Sequence, residues 1–315
     1  MSEIVVFSES TNSTRELVSF AKKLNGEVSV TVAGKGDLSQ ETREVSVAGV
    51  SKIYQASDDS LANLLPEAIV DVLAAIIQQA SPGLMIITST KRGKEIAPRL
   101  AARLNLGCIS DASNVRLENG EVYADRVVWG GNAIATVVSK GTTIVTVPPK
   151  SNEPAEGSSS PEVVKVEFQS KPSKVTVVGR EEKPKGQVSI KDAEVVVSAG
   201  RGFKKKEDLA ILEPLAKVLN AAVGASRPLT SDLAWLPEDR QVGLSGTTVR
   251  PKLYVAVGIS GQIQHLTGMR DSKVVAAINQ DKNAPIFQEC DYGIVGDLYT
   301  VIPLLTDSLK KKLGR

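Results

Sequence analysis

Glu194-Val195-Val196-Val197-Ser198-Ala199-Gly200-Arg201-Gly202 is an apolar strand that runs straight into a glycine turn, and residues 206–219 after it carry their apolar side chains at helical spacing. A near-continuous apolar run of this length is how a parallel strand covered on both faces reads. A strand that ends in glycines and feeds a helix opens a nucleotide-binding α/β sheet. The glycine fingerprint is incomplete, because Lys205 stands at its third position, and a tight turn with no ligand accounts for the same residues. Arg201 weighs toward a ligand: a guanidinium between two glycines meets an oxyanion in two-point contact with unhindered backbone beside it.

Toward the C-terminus the device repeats. Residues 251–257 form a strand entering Gly258-Ile259-Ser260-Gly261, followed by a helical segment at 263–266. Residues 274–279 and 292–295 complete at least four strands that can lie parallel, and a last helix spans 298–313, its basic end Lys310 to Lys312 complementing the macrodipole. Two further loops fall where such sheets present ligands: Gly224-Ala225-Ser226-Arg227, after the helix-compatible 219–223, and Gln241-Val242-Gly243-Leu244-Ser245-Gly246-Thr247-Thr248. The segment Gly261-Gln262-Ile263-Gln264-His265 adds backbone donors, two amides and the chain's one imidazole at a helix start, which favours anions. Hydrolysis through His265 with Ser245 or Ser260 ranks low, since neither serine sits in a Gly-x-Ser-x-Gly elbow.

Toward the N-terminus, strand-like runs at 4–7, 28–33, 53–56 and 84–88 alternate with helical patterns at 13–24, 61–79 and 94–104, and Gly107 stands where a left-handed cap is expected. Residues 115–147 then read as hairpins, with turns at Glu118-Asn119-Gly120 and Gly130-Gly131-Asn132. The Pro- and Ser-rich stretch 148–161 reads as an exposed loop, strand character returns at 163–168 and 174–178, and the polar stretch 180–187 marks a boundary. The expected division is therefore 1–185, an α/β domain with added hairpins, and 186–315, a parallel-sheet domain. Thr90-Lys91-Arg92-Gly93-Lys94-Glu95 could begin an anion site, but a solvated helix start explains it more simply, and no site is assigned there.

Length and composition bound the rest. At roughly 150 residues per domain, 315 residues agree with two domains. With 38 Lys plus Arg against 36 Asp plus Glu, there is no basic footprint for nucleic acid. One histidine and two cysteines, Cys108 and Cys290, cannot supply an ordinary zinc site, and thiols so placed suit a reducing, cytoplasmic setting. No export signal precedes the first strand, and the uncharged stretch 253–269 is too polar to span a membrane.

The second-domain motifs taken in order resemble the FAD domain of the electron-transfer flavoprotein alpha subunit: 198–202, 222–227, 254–261 with Gln264-His265, Ala277-Ile278-Asn279, 284–287 and 291–298. The first domain resembles that family only loosely, through its βαβ opening. The resemblance implies a nucleotide-hydrolase-like first domain, a Rossmann-like FAD domain and a heterodimer with a beta subunit. That partner would hold AMP or a second FAD. Electrons would pass from dehydrogenases, or from NADH in an electron-splitting complex, to a quinone reductase or related acceptor. By position, Arg201, Ser226 and Arg227 would contact FAD, Arg227 near the isoalloxazine. Gln241, Val242, Gly243, Leu244, Ser245 and Gly246 would pass along the flavin, with the Ser245 hydroxyl toward N5. Ser260, Gly261, Gln262, Ile263, Gln264 and His265 would hold the flavin and ribityl chain, His265 beside the C2 carbonyl, and Asn279, Asp297 and Leu298 would take the adenosine end. The family commonly has Gln-Thr-Gly-Lys where this chain has Leu244-Ser245-Gly246-Thr247, so an amide and a cation are missing and a different flavin potential is expected. The competing readings are a self-contained flavin- or nicotinamide-dependent oxidoreductase and a nucleotide-binding scaffold; bound FAD separates them.

Overall fold

A computed structural model describes residues 3–171, 173, 175–179 and 189–314. The chain divides into two units, 1–181 and 182–315, and the boundary expected at 185/186 lies outside the described residues.

The first unit alternates β1 (Glu3–Phe7), α1 (Thr11–Lys22), β2 (Glu27–Gly34), α2 (Ser39–Val45), β3 (Val50–Ser57), α3 (Pro66–Ala80), β4 (Leu84–Thr88) and α4 (Gly93–Leu104). It continues through β5 (Gly107–Ile109), β6 (Ala112–Glu118), β7 (Glu121–Val128), β8 (Ala133–Lys140), β9 (Thr143–Val147) and β10 (Glu162–Lys165). Seven strands make a sheet in the order β10-β3-β2-β1-β4-β9-β5, parallel throughout, and β6-β7-β8 form a separate antiparallel sheet. Successive strand residues point to opposite faces, so β1 divides its side chains. Ile4 and Val6 join the cluster of Leu17 and Val18 from α1, whereas Val5 and Phe7 join that of Ile69 and Leu73 from α3.

Several expectations are corrected here. Thr143–Val147 is no hairpin arm: it pairs parallel with β4 and β5 inside the main sheet. The left-handed cap of α4 is Asn105, at φ 54°, and Gly107 instead begins β5. The helix read from residue 61 starts at Pro66, whose missing N–H costs nothing at a first turn. Residues 175–179 form no strand. The loop 148–161 is tied down along its length: the Lys150 N–H donates to Glu16, Ala155, buried, exchanges hydrogen bonds with Arg15, and Ser159 donates to the Ser46 and Val47 carbonyls.

The second unit comprises β11 (Val195–Ala199), α5 (Leu212–Leu219), β12 (Ala222–Ala225), β13 (Leu253–Val257), α6 (Ile263–Leu266), β14 (Val275–Asn279), β15 (Tyr292–Val295) and α7 (Leu298–Leu313). Five parallel strands run in the order β12-β11-β13-β14-β15. The helix expected over 206–219 is α only from Leu212, with a 3-10 stretch before it. The run 219–223 crosses from the end of α5 into β12, because a short apolar segment fits either period and the Asn220 left-handed cap breaks the helix. One face of the sheet packs Val197, Val255 and Val257 against Leu215 of α5 and Ile302 of α7. The other packs Val196, Tyr254 and Ala256 against Val242, Leu266 and Met269.

Among the described residues, no helix is long and apolar enough to cross a membrane and no cluster of His, Cys, Asp and Glu could hold a metal ion.

Candidate functional site

In the second unit the chain leaves β11 for β12 on one side and returns to β13 on the other, so the strand order reverses between β11 and β13. Loops at such a reversal diverge and leave a crevice beyond the carboxyl ends of the strands. A cleft of about 710 Å³ lies there. It is lined by Arg201 and Gly202 after β11, by Ser226, Arg227 and Pro228 after β12, by Gly258, Ile259 and Ser260 after β13, and by Asn279 at the end of β14 with Asp281 after it. Gln241 to Ser245, Gln262, Gln264 and His265 close its side, with Asp232, Ala284 and Pro285.

Glycine is required where these loops meet. The Gly200 N–H donates to the Val257 carbonyl at 2.8 Å and that of Gly202 to Gly258 at 2.9 Å. A Cβ on Gly200 would stand 2.3 Å from the Gly258 oxygen, so any larger residue would drive the two turns apart. Gly243, at φ +144°, occupies a conformation that other residues rarely adopt, and it lets the Leu244 N–H reach the Gln264 carbonyl at 2.7 Å. Asn279 braces the floor by donating Nδ2 to the Ile259 carbonyl at 2.9 Å.

Three polar features face a ligand. Arg201 and Arg227 are exposed, and among the described residues neither pairs with a carboxylate. Ser245 Oγ accepts a hydrogen bond from Gln241 Nε2 at 2.9 Å, while Gln241 Oε1 accepts from Thr230 at 2.9 Å and Ser231 at 3.0 Å. The Ser245 hydroxyl proton is thereby left to donate elsewhere. His265, 7% exposed, bonds through Nε2 to the Tyr254 hydroxyl at 2.9 Å, and its buried Nδ1 has no hydrogen bond of ordinary geometry. Burial pushes the imidazole pKa down to about 4, against the smaller opposing pull of the Val242 backbone. His265 is therefore neutral near pH 7 and acts as a donor or acceptor, not as a cation.

The remaining sequence candidates sit apart from the lining. Asp297 caps α7 by accepting from the Tyr299 N–H, and Leu298 is buried in the apolar cluster beneath the turn, within reach of Gly202 and Gly258. Gly246, Gly261 and Ile263 support the loops from outside the cleft wall. Neither Ser245 nor Ser260 hydrogen-bonds His265, so no nucleophile and base are assembled. The helix holding His265 is a single turn, which carries little of the dipole that a helix start was expected to supply. Sequence reasoning passed over Pro228, Asp232 and Asp281, and quoted Ala284 and Pro285 only as part of a family motif without a site role. In the first unit Thr90 is occupied by Glu9 and by the Gly93 N–H, and Lys94 pairs with Asp111 at 2.9 Å. Thr90 and Lys94 are thus satisfied within the unit, while Lys91 and Arg92 are exposed to solvent.

The cleft's size, its two guanidiniums without a carboxylate partner among the described residues and its glycine-crossed turns suit an anionic ligand. Comparison with known proteins says which family builds such a site. Residues 5–171 match the family model described as "Electron transfer flavoprotein domain", and residues 189–270 match "Electron transfer flavoprotein FAD-binding domain". The "Electron transfer flavoprotein subunit alpha" of Syntrophomonas wolfei is 39% identical over 301 residues, covering 95% of this chain and 94% of the relative. That of Mycobacterium leprae is 37% identical over 324 residues, the full length of both, and "Protein FixB" of Escherichia coli O127:H6 is 35% identical over 321 residues, covering 98% and 99%.

Proposed function

The chain belongs to the electron transfer flavoprotein alpha-subunit family and carries its FAD-binding domain, and from that premise we propose that the cleft holds FAD and that the chain works as an electron carrier in a heterodimer with a beta subunit. The observation that carries the proposal is that two arginines, without a carboxylate partner among the described residues, line one cleft with a neutral, buried imidazole and glycine turns at the sheet's point of reversal. FAD supplies the chemistry, taking up and releasing electrons one or two at a time. The chain supplies binding, orientation and local charge.

In this reading Arg201, with Ser226 beside it, neutralises the pyrophosphate, while Arg227 lies near the isoalloxazine. Asn279, with Asp297 and Leu298 behind it, serves the adenosine end. Val242 to Leu244 lie along the flavin, and Ser245 presents the hydroxyl proton that Gln241 leaves free toward N5. His265 stands by the C2 carbonyl as a neutral donor, the region where negative charge gathers on reduction. Ser245 and His265 are held by hydrogen bonds before the ligand arrives, so they reorganise little with a change of charge.

Donors are proposed to be dehydrogenases, or NADH in an electron-splitting assembly, and the acceptor a quinone reductase or similar protein, in the cytoplasm. Isolation of the native complex, with FAD and AMP counted per alpha chain, tests this. One FAD and one AMP beside a smaller chain support the simple carrier; two FAD indicate the electron-splitting form; absence of flavin overturns the proposal.

A further inference from the structure

Tyr254 is the largest fully buried side chain among the described residues, and its hydroxyl meets the one polar atom of His265 that has a partner. It stands in β13, paired with Val196 of β11, so Ser198, two residues further along β11, lies on the same face of the sheet. The Ser198 hydroxyl is buried without a hydrogen bond of ordinary geometry, and its pull on the Tyr254 phenol is the smaller influence, opposed to that of burial. A phenol sealed from water keeps its proton, and burial pushes Tyr254 far above the ordinary tyrosine range. Two polarities satisfy this chain of groups. Either Tyr254 donates to Nε2 and the ring proton sits on Nδ1, or Nε2–H donates to Tyr254, whose own proton turns toward Ser198. Donor and acceptor strength chooses between them. A phenol is a stronger hydrogen-bond donor than a neutral imidazole N–H, and an imidazole nitrogen is a stronger acceptor than a phenol oxygen, so the 2.9 Å contact between two sealed groups runs from Tyr254 to Nε2. With Nε2 accepting, the one proton of the neutral ring stands on Nδ1.

We propose that Tyr254 is a positioning residue, whose hydroxyl donates to Nε2 and holds His265 as the neutral Nδ1–H tautomer. The ring then carries one proton at one known atom, on the side of the Val242 backbone that shapes the cleft, instead of two tautomers in exchange. The consequence for a flavin rests on the proposed function; the tautomer itself does not.

His265 is the only histidine in the chain, so its nitrogens can be read without assignment. In the full chain labelled with nitrogen-15 histidine, two-bond proton–nitrogen spectra at pH 7 are expected to show Nδ1 protonated and Nε2 bare. Tyr254→Phe keeps the ring and removes the donor. It is expected to bring the two nitrogen signals toward each other, as tautomers mix, and to move the ring's titration midpoint upward, because no hydroxyl competes with a proton for Nε2. A wild-type spectrum with the proton on Nε2 overturns the proposal, as does an unchanged spectrum in Tyr254→Phe; if that variant fails to fold, the wild-type spectrum alone decides. In the alpha–beta complex loaded with FAD, the same substitution is expected to shift the flavin potential at unchanged FAD content. An unshifted potential beside an altered tautomer overturns the flavin consequence, and failure to bind FAD overturns the proposed function while leaving the tautomer result intact.

Discussion

Leu244 projects into the cleft with 59% of its surface exposed, an unusual place for a leucine unless a ligand covers it. Its backbone is held by the Gln264 carbonyl, so replacing its side chain should leave the loop in place. Leu244→Gln puts an amide beside the proposed flavin, and an added dipole in a partly desolvated site stabilises one charge state over the other. The expected shift in potential is on the order of tens of millivolts, within the roughly 59 mV that a tenfold change represents for one electron. Spectroelectrochemical titration of both proteins measures it, and identical potentials would remove Leu244 from the tuning set. At this scale the sequence was half legible. His265 announced itself as the sole imidazole, and Arg201 and Arg227 by their glycine and serine neighbours. Tyr254 gave no signal: in a buried strand a tyrosine reads as one more apolar residue, and its tie to His265 depends on a turn eleven residues away folding back.

The turns between elements are where glycine content becomes structural. Gly261, at φ +87°, lies so close to the following loop that a Cβ would stand 2.3 Å from the Ile286 nitrogen. Gly120 has a similar φ of +77° in the β6–β7 hairpin, but open space around it. Both substitutions to alanine incur backbone strain of roughly 1–2 kcal/mol. Only Gly261→Ala must also move the backbone that shapes the cleft. Gly261→Ala is therefore expected to destabilise its unit by more than Gly120→Ala destabilises the other and to lower FAD retention, whereas Gly120→Ala leaves retention unchanged. Denaturant melts and flavin content after gel filtration check both, and equal retention would show that the 258–261 turn does not shape the site. Elements with a clear period, such as α1 and β4, were readable from sequence, as was the Asn119-Gly120 turn. Segments 143–147 and 219–223 were misread because short apolar runs state neither their partner nor their period; pairing across distant chain decided both.

Across the molecule, each apolar cluster is built from one unit alone, two in the first and two in the second, one on either face of each parallel sheet. The division into two was legible from length; where function sits was not, since both units are parallel α/β sheets and the cleft lined by Arg201 and Arg227 is assembled from loops after four different strands. Separate cores predict two thermal transitions, with FAD acting on one: at a free concentration about 100 times its dissociation constant, a ligand stabilises its unit by roughly 2.7 kcal/mol. Acid should also separate them. His265 ionises near pH 4 when folded against an ordinary value of 6.5, so below 6.5 the unfolded second unit takes up a proton that the folded one refuses. Stability is present in full above pH 6.5 and is lost as the pH falls toward 4, at up to about 1.4 kcal/mol per pH unit. The carboxyls held below their ordinary values, Asp37, Glu44, Asp58, Glu121 and Asp125, all belong to the first unit, and their contribution is lost only as the pH falls below about 4.5. Calorimetry of the apo chain between pH 7 and 4.5 is thus expected to lower the FAD-sensitive transition while the other, whose Glu16 is pushed up by burial and takes up a proton more readily when folded, is not lowered. His265→Gln, which cannot titrate, should flatten that slope; a slope that survives the substitution would place the sensitive group elsewhere in the second unit.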